Sequence, residues 1–323
     1  MTKPNPLIAL FERVRDEPGN THLYDHYGDV RAVIPGKPVV RSMIDLHGDL
    51  LPNIESNDGT SLKRPPVGRP AVEVTTIGAE VIKQSLVAQA GAEVIIWKDP
   101  TQAISTGLTG DVLMVSKPTY FETIEAAPFS QLPDVLPNGT QPDIAVTPLP
   151  IKRAQINVDS AWGPQTNTNA YGVRFAVTRR DIKTYSGLAN AITHSMTHGL
   201  ARTADAVLLG AIVAAAPAPF SLSAAAAAAV RFGELRALVG TAGNGAVVNQ
   251  EGELKVLPGI AAELTPDMAA TIVGAFSRSA IMIRSTVEVI AERVNIDGSM
   301  EFKAWAEFQP LLPDTSRFWT VGA

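Results

Sequence analysis

Residues 171 to 211 read YGVRFAVTRRDIKTYSGLANAITHSMTHGLARTADAVLLGA, and two periodicities meet in them. Tyr171 to Thr178 is rich in aromatic and β-branched side chains and predicts a strand. Beyond Asp181 the pattern becomes helical. Leu188, Ile192, Met196, Leu200, Ala204 and Leu208 recur at every fourth position, which lines one face of an α-helix over residues 186 to 216. Ser186 is a candidate N-cap and Pro217 a stop. Such a rod would be on the order of 45 Å long. Gly187, Gly199 and Gly210 weaken it in isolation, so packing against the rest of the chain must hold it.

Upstream of this stretch lies a long irregular one. Eight prolines fall between Pro118 and Pro164, and the only charges from Ala126 to Ile151 are Asp134 and Asp143. Proline removes backbone donors and fixes φ, so the segment reads as an extended excursion, neither helix nor sheet interior. It ends in a strand from Ile151 to Asp159, a turn-rich tip WGPQTNTN at 162–169, and the returning strand from Tyr171. Inside a compact domain an excursion this long would be anomalous, whereas an arm lying on a neighbouring subunit gives it a partner.

Earlier still, Leu7 to Glu17 is a short helix candidate, and the rest of residues 1 to 70 suggests no compact core. Ala79 to Gln89 predicts a helix stopped by Gly91, followed by strands Glu93–Trp97 and Asp111–Ser116 joined through GLTG at 107–110. Downstream, Arg231 to Val239 can form a helix, GTAGNG at 240–245 a turn, and Ala269 to Val273 a strand. Ile281–Ile283, Val287–Asn295 and Met300–Phe308 alternate apolar and polar residues, with Asp297-Gly298 as a hairpin turn, and the last residues from Arg317 predict a closing strand. The order of elements gives an α+β class with segregated helices and strands.

Composition narrows the function. The 323 residues are 46% hydrophobic but only 18% charged, against an average near 25%. So little solvating charge points to a surface partly covered by other chains. A formal charge of −5 argues against a protein whose main surface grips nucleic-acid phosphates. With no cysteine there is no disulfide, thiolate metal site or cysteine nucleophile. MTKPNPLIALFERVRDE has too short an apolar run for a signal peptide, so synthesis in a cytoplasm is expected. The uncharged run between Asp205 and Arg231 is long enough to span a bilayer, but Pro217 and Pro219 break it, so no membrane span is expected.

No motif nominates a catalyst. Asp45-Leu-His47-Gly-Asp49 has the carboxylate–imidazole spacing of a metal-dependent hydrolase, yet the further motifs of such a site are missing. His22, Asp25, His26 and Asp29 sit within eight residues, but Tyr24, Tyr27 and Gly28 favour a solvated loop. His194 and His198 supply two metal ligands where a tetrahedral site needs four. GTAGNG lies between a helix and a strand, the reverse of a phosphate loop. Arg179, Arg180 and Lys183, with Lys63, Arg64 and Arg69, form small basic patches suited at most to weak, non-specific contact with DNA.

In this order the elements resemble the major capsid protein of tailed bacteriophages, the Hong Kong 97-like capsid fold. Residues 171–211 are similar to that family's strand, its Thr178-Arg179 step and its spine helix ending in Asp205-Ala-Val-Leu-Leu-Gly210. LVAQAGAEV at 86–94 with GLTGDV at 107–112 is similar to the strands before the extended loop, and residues 264–294 and 301–312 to the closing strands. The resemblance implies an N-terminal arm (1–75), a peripheral domain (76–116, 173–216 and 286–323) containing the spine helix, an extended loop (117–172) and an axial domain (217–285). It implies a non-enzymatic subunit without cofactor or metal that assembles as hexamers and pentamers of an icosahedral head around double-stranded DNA. A portal and scaffold or decoration proteins would be partners, with assembly in the host bacterial cytoplasm and residence in the virion. Lys152, Arg153, Trp162, Arg179, Arg180, Asp181 and Arg202 become candidate inter-subunit contacts. Some members of the family cross-link through a Lys–Asn isopeptide bond; Lys152 lies in that region, but no partner matches and the chemistry is not carried over. The alternatives are an encapsulin-type compartment shell and a hydrolase using Asp45, His47 and Asp49.

Overall fold

The computed structural model describes residues 7, 10, 21–34, 39–52, 75–98, 101–105, 112–116, 119–129, 148–156, 169–185, 187–256, 259–292 and 299–322. In chain order these form β1 (Thr21–Tyr24), β2 (Val30–Ile34), β3 (Val39–Asp45), α1 (Ile77–Gln84), α2 (Leu86–Gln89), β4 (Glu93–Trp97), β5 (Thr101–Ser105), β6 (Val112–Ser116), β7 (Thr119–Ile124), β8 (Ile151–Ile156) and β9 (Ala170–Val177). Then come α3 (Arg179–Thr184), α4 (Leu188–Ala214), α5 (Leu222–Ala227), β10 (Arg236–Val239), β11 (Ala246–Val248), β12 (Leu254–Val256), β13 (Ile260–Leu264), β14 (Thr271–Gly274), β15 (Ala280–Arg284), β16 (Thr286–Glu292), β17 (Met300–Leu311) and β18 (Phe318–Val321). The class is α+β, as the order of elements predicts.

Two six-stranded sheets carry the structure. The larger is built on β17, whose twelve residues alternate buried and half-buried along most of their length. On one side β17 pairs antiparallel with β9. On the other it pairs first with β16 and then with β15, which behave as one long strand broken at Ser285. At that break the Leu46 N–H donates to the Ser285 carbonyl (2.8 Å) and the Ser285 N–H to the Trp97 carbonyl (2.8 Å). So β3 lies beside β16 and β4 runs parallel to β15, end to end across the break. The smaller sheet has the order β11-β12-β13-β10-β14-β18 and its own core of Leu235, Val239, Val256, Ile260, Val273 and Trp319.

α4 covers one face of the large sheet. Ile192, Met196, Ala204 and Leu208 of the predicted stripe are buried, joined by Ala201, Leu209 and Ile212, and they pack with Ile281, Ile283, Val289, Phe302 and Phe308 in the main core. The helix has 27 residues, shorter than the expected span: its N-cap is Gly187, with no side-chain bond, and Ser186 lies outside the described residues. Asp205, 1% exposed, seats the helix against α2, accepting from Ser85 Oγ (2.6 Å), Leu86 N (3.0 Å) and Val87 N (3.1 Å). α1 approaches the sheet closely at Gly78, where a Cβ would lie 2.3 Å from Ile96 Cδ1 and 2.6 Å from the Leu46 carbonyl oxygen.

Several local expectations are corrected. The region Ala79–Gln89 is two helices, α1 and α2, divided at Ser85, whose hydroxyl caps α2. β4 does not pair with β6; it joins β15, and β6 pairs with β5. β8 and β9 do not pair with each other, because β8 takes β7 and β9 takes β17. Arg231–Val239 is a short 3-10 turn at Phe232–Glu234 and then strand β10, since Ala237, Leu238 and Val239 are buried in the small sheet. The N-terminal region is not without a core: Leu7, Leu10, Ile44 and Leu46 are buried, and β3 pairs along the length of β16. The Asp297-Gly298 turn and the GLTG segment lie outside the described residues. Among those residues no helix is long and apolar enough to cross a membrane.

Burial raises the Asp205 pKa against the hydrogen bonds from Ser85, Leu86 and Val87. The folded value therefore lies above the unfolded one, so this linkage favours the fold fully below about pH 4 and fades as pH rises through the folded value. Replacing Asp205 by Ala leaves a hydroxyl and two amides without their acceptor, and should lower stability by about 2–4 kcal/mol at neutral pH. Urea unfolding followed by circular dichroism measures it.

Candidate functional site

Opposite α4, the part of the large sheet formed by β4, β15 and the end of β17 is covered by a two-stranded ribbon, β7–β8. Alternation along a strand sends Ile281 and Ile283 toward α4 and Ala280 and Met282 to the other side, where they meet Trp97, Leu311 and Ile156, with Phe121 and Ala154 packed against them. The opposite pairs Thr119/Ile156, Phe121/Ala154 and Thr123/Lys152 thus form the inner face of the ribbon, and Tyr120/Gln155, Glu122/Arg153 and Ile124/Ile151 the outer. On the outer face, beside the Glu122–Arg153 pair and Gln155, and in the chain beyond it, large apolar side chains are open to solvent: Tyr120 is 45% exposed, Ile124 73%, Leu149 75% and Phe129 fully. Neither outer edge of the ribbon pairs with a third strand among the described residues.

At the base of the ribbon six charged groups converge. Lys152, facing inward from β8, donates to Asp314 Oδ2. The Glu125 carboxylate, one residue past β7, takes Arg278 Nη1 on one oxygen and Arg317 Nη2 (3.0 Å) on the other. Arg317 Nε also reaches Asp314 Oδ2 (3.0 Å), and Arg278 Nη2 lies 3.9 Å from Glu234. Three cations thus face three anions. Asp314 and Arg317 are buried, so their charges are tolerated only because they are paired and hydrogen-bonded. Burial alone would raise the Asp314 pKa, but hydrogen bonds from Lys152, Ser316 and Arg317 outweigh it and hold the carboxyl well below the usual carboxylate range.

The seven candidate contact residues do not form one site. Lys152 belongs to this charged joint, while Arg153 faces outward and pairs with Glu122 across the ribbon (2.7 Å). Arg179, Arg180 and Asp181 form the exposed first turn of α3, which Thr178 caps by accepting from Asp181 N (3.2 Å). Arg202 projects from α4 to Asp267 (2.7 Å) in the loop before β14. Trp162 lies outside the described residues. Glu125, Glu234, Arg278, Asp314 and Arg317 carried no sequence signal, because Arg278 and Glu125 are 153 positions apart and neither sits in a motif.

The hydrolase constellation is occupied with holding a turn. Asp45 Oδ1 accepts from His47 N (3.0 Å), Asp49 Oδ2 from Asp45 N (2.8 Å), and His47 Nε2 lies 3.0 Å from the Ile96 carbonyl, a geometry that makes it the donor. The Asp25 carboxylate closes the β1–β2 turn on Tyr27 N and Asp29 N, and His194 Nε2 contacts the Pro52 carbonyl at 2.6 Å. Among the described residues no three His, Asp or Glu side chains could hold a metal. A groove of about 350 Å³ between α4 and the β9–β17 edge, floored by Phe175, Met196, Leu200 and Trp305, is lined by no charged side chain. Nothing in it supplies a nucleophile with its base, or an acid with its partner.

No protein-family model matches the chain, and no curated protein matches its sequence. Solved structures similar to it include that of Gordonia phage Cozz, at 13% identity over 82% of this chain and 93% of the other, with a TM-score of 0.43. The asymmetric unit of the bacteriophage PhiM1 mature capsid matches at 10% identity over 83% and 94%, TM-score 0.39. A virus-like particle from Pyrococcus furiosus matches at 10% identity over 76% and 98%, TM-score 0.41.

Because the folded Asp314 pKa is depressed, its contribution to stability is present above the ordinary carboxylate value near pH 4 and is lost as pH falls toward the folded value. Asp314→Asn should therefore lower stability by about 1–3 kcal/mol at pH 7, allowing for the half-open Lys152. The gap to the parent chain should narrow on acidification below about pH 4, as thermal melts across that range would show.

Proposed function

We propose that this chain is the major capsid protein of a tailed bacteriophage, self-assembling into the icosahedral head that encloses the double-stranded genome. The observation that carries the reading is the β7–β8 ribbon. Its inner face is tied to its own body by packing and by six charges, yet its outer face and the residues leading from it present Tyr120, Ile124, Phe129 and Leu149 to water. A lone two-stranded ribbon is marginally stable, and an exposed apolar ridge of this kind belongs against another surface.

A closed shell supplies that surface. Each subunit would offer its ribbon to the next in a head-to-tail contact, and such heterologous contacts close into rings when the rotation is right. Many weak contacts of this type add to one strong assembly. The low charge of the chain fits neighbours on several sides. The reading assigns the chain no reaction. Hexamers and pentamers, packaged DNA held by non-specific contact, and portal or scaffold partners complete the proposal, with assembly in the bacterial cytoplasm and residence in the virion. The segment between residues 117 and 172 is the arm, and residues 217 to 285 the axial region.

Negative-stain microscopy and light scattering of the purified chain test this. Uniform closed particles or rings of megadalton mass are expected, and a monodisperse monomer of 34.2 kDa overturns it. Nucleic acid recovered in the particles, released by moderate salt, separates a genome container from a compartment that holds protein. Replacing residues 126–149 by a short turn should abolish particles while leaving the circular dichroism spectrum and melting temperature of the subunit within a few degrees of the parent.

A further inference from the structure

The two arginines gripped by Glu125 occupy a singular place in the chain. Arg278 ends the 3-10 turn Phe276–Arg278, the crossing from β14 of the small sheet to β15 of the large one. Arg317 ends the 3-10 turn Thr315–Arg317, the crossing back from β17 to β18. The crossings run side by side: the Ala275 N–H donates to the Arg317 carbonyl (3.2 Å), Gly274 pairs with Phe318, and the Phe276 and Phe318 rings meet edge to face at 5.4 Å. At Gly274 a Cβ would stand 2.3 Å from the Phe318 ring, so the approach leaves no slack.

We propose that Glu125 is a positioning residue that gears the direction of the β7–β8 arm to the angle between the two sheets. Its two oxygens hold one arginine from each crossing, so a rotation of the small sheet that separates Arg278 from Arg317 must release or drag the arm. Two further contacts stiffen the same joint. Lys152 on the second arm strand grips Asp314, next to the second crossing, and Arg278 also faces Glu234, just before β10 of the small sheet. The arm, the crossings and the small sheet therefore share one charge network. A shell subunit must sit at non-equivalent positions in a closed lattice, and a coupled arm lets one adjustment of the small sheet re-aim the contact made with the next copy. This consequence rests on the capsid reading; the coupling itself does not.

The test is hydrogen exchange by mass spectrometry on the full-length, unassembled chain at low concentration, comparing the parent with Glu125→Gln. Gln keeps the shape and removes the charge that holds both guanidinium groups. Exchange should rise about tenfold or more in peptides covering β7, β8 and both crossings, with peptides of α4 and β17 unchanged. A rise confined to β7 and β8 would make Glu125 a simple anchor and overturn the coupling, as would no change anywhere. Should Glu125→Gln fail to fold, Arg278→Lys serves with the same peptides: it keeps the charge and loses the fork, and it must raise exchange in the arm as well as at Phe276–Arg278. Failure of the chain to form particles would sink the capsid reading but leave this comparison intact, because it is read on free subunits.

Discussion

At its β4–β15 end the large sheet must be kept from water on both faces, and each is covered by a different device. Along β15 the alternation of Ala280, Ile281, Met282 and Ile283 is buried throughout, so neither side can be left to solvent. The helix α4 meets one side with its stripe of Ile192, Met196, Ala204 and Leu208. The other side, around Trp97, Met282 and Leu311, is covered among the described residues by the β7–β8 ribbon. The ribbon is therefore part of the core on its inner face. What it shows outward follows from that constraint, since a two-stranded ribbon has a second face and the first is committed.

Charge does the remaining positioning. With few ionisable side chains overall, the chain gathers six of them at the root of the arm and balances them three against three. Isolated surface pairs such as Arg153 with Glu122 are worth little. The Glu125, Arg317 and Asp314 set differs because it is mostly enclosed, and loss of one member would leave another charge without its counterpart. Asp205 plays a similar part at the other side of the sheet, where a buried carboxylate joins α4 to the start of α2. Its raised pKa and the depressed one of Asp314 have opposite origins: burial outweighs three hydrogen bonds from neutral donors in the first, while hydrogen bonds from Lys152, Ser316 and Arg317 outweigh burial in the second.

Much of this architecture was legible in the residues, for reasons that also explain what was not. The spacing of Leu188 to Leu208 located α4 because burial of a helix on a flat sheet follows its own turn. The alternations at Val287 and Met300 located β16 and β17 for the same reason. Strand partners were another matter: β8 looked like the mate of β9 because they are neighbours in sequence, whereas β9 finds β17, more than a hundred residues on. Leu235 to Val239 has no periodicity that separates a buried strand from a helix, and only the small sheet around it decides. Hydrogen bonds between distant charges leave no spacing to read, so Glu125, Arg278, Asp314 and Arg317 emerged from the structure alone. Lys152 was singled out for its region, and its partner Asp314 could not be.

That β17 and β18 follow in sequence every strand they pair with has a consequence for biosynthesis. The central strand of one sheet and an outer strand of the other both come from residues 300 to 321. Until they leave the ribosome, β9, β15 and β16 lack their common neighbour, and Trp319 is missing from the core of the small sheet. Completion of the fold is thereby deferred until residues 300 to 321 have emerged, and the long-range pairings it awaits belong to the slow class of folding events. A nascent chain that has not yet passed residue 321 cannot complete both sheets.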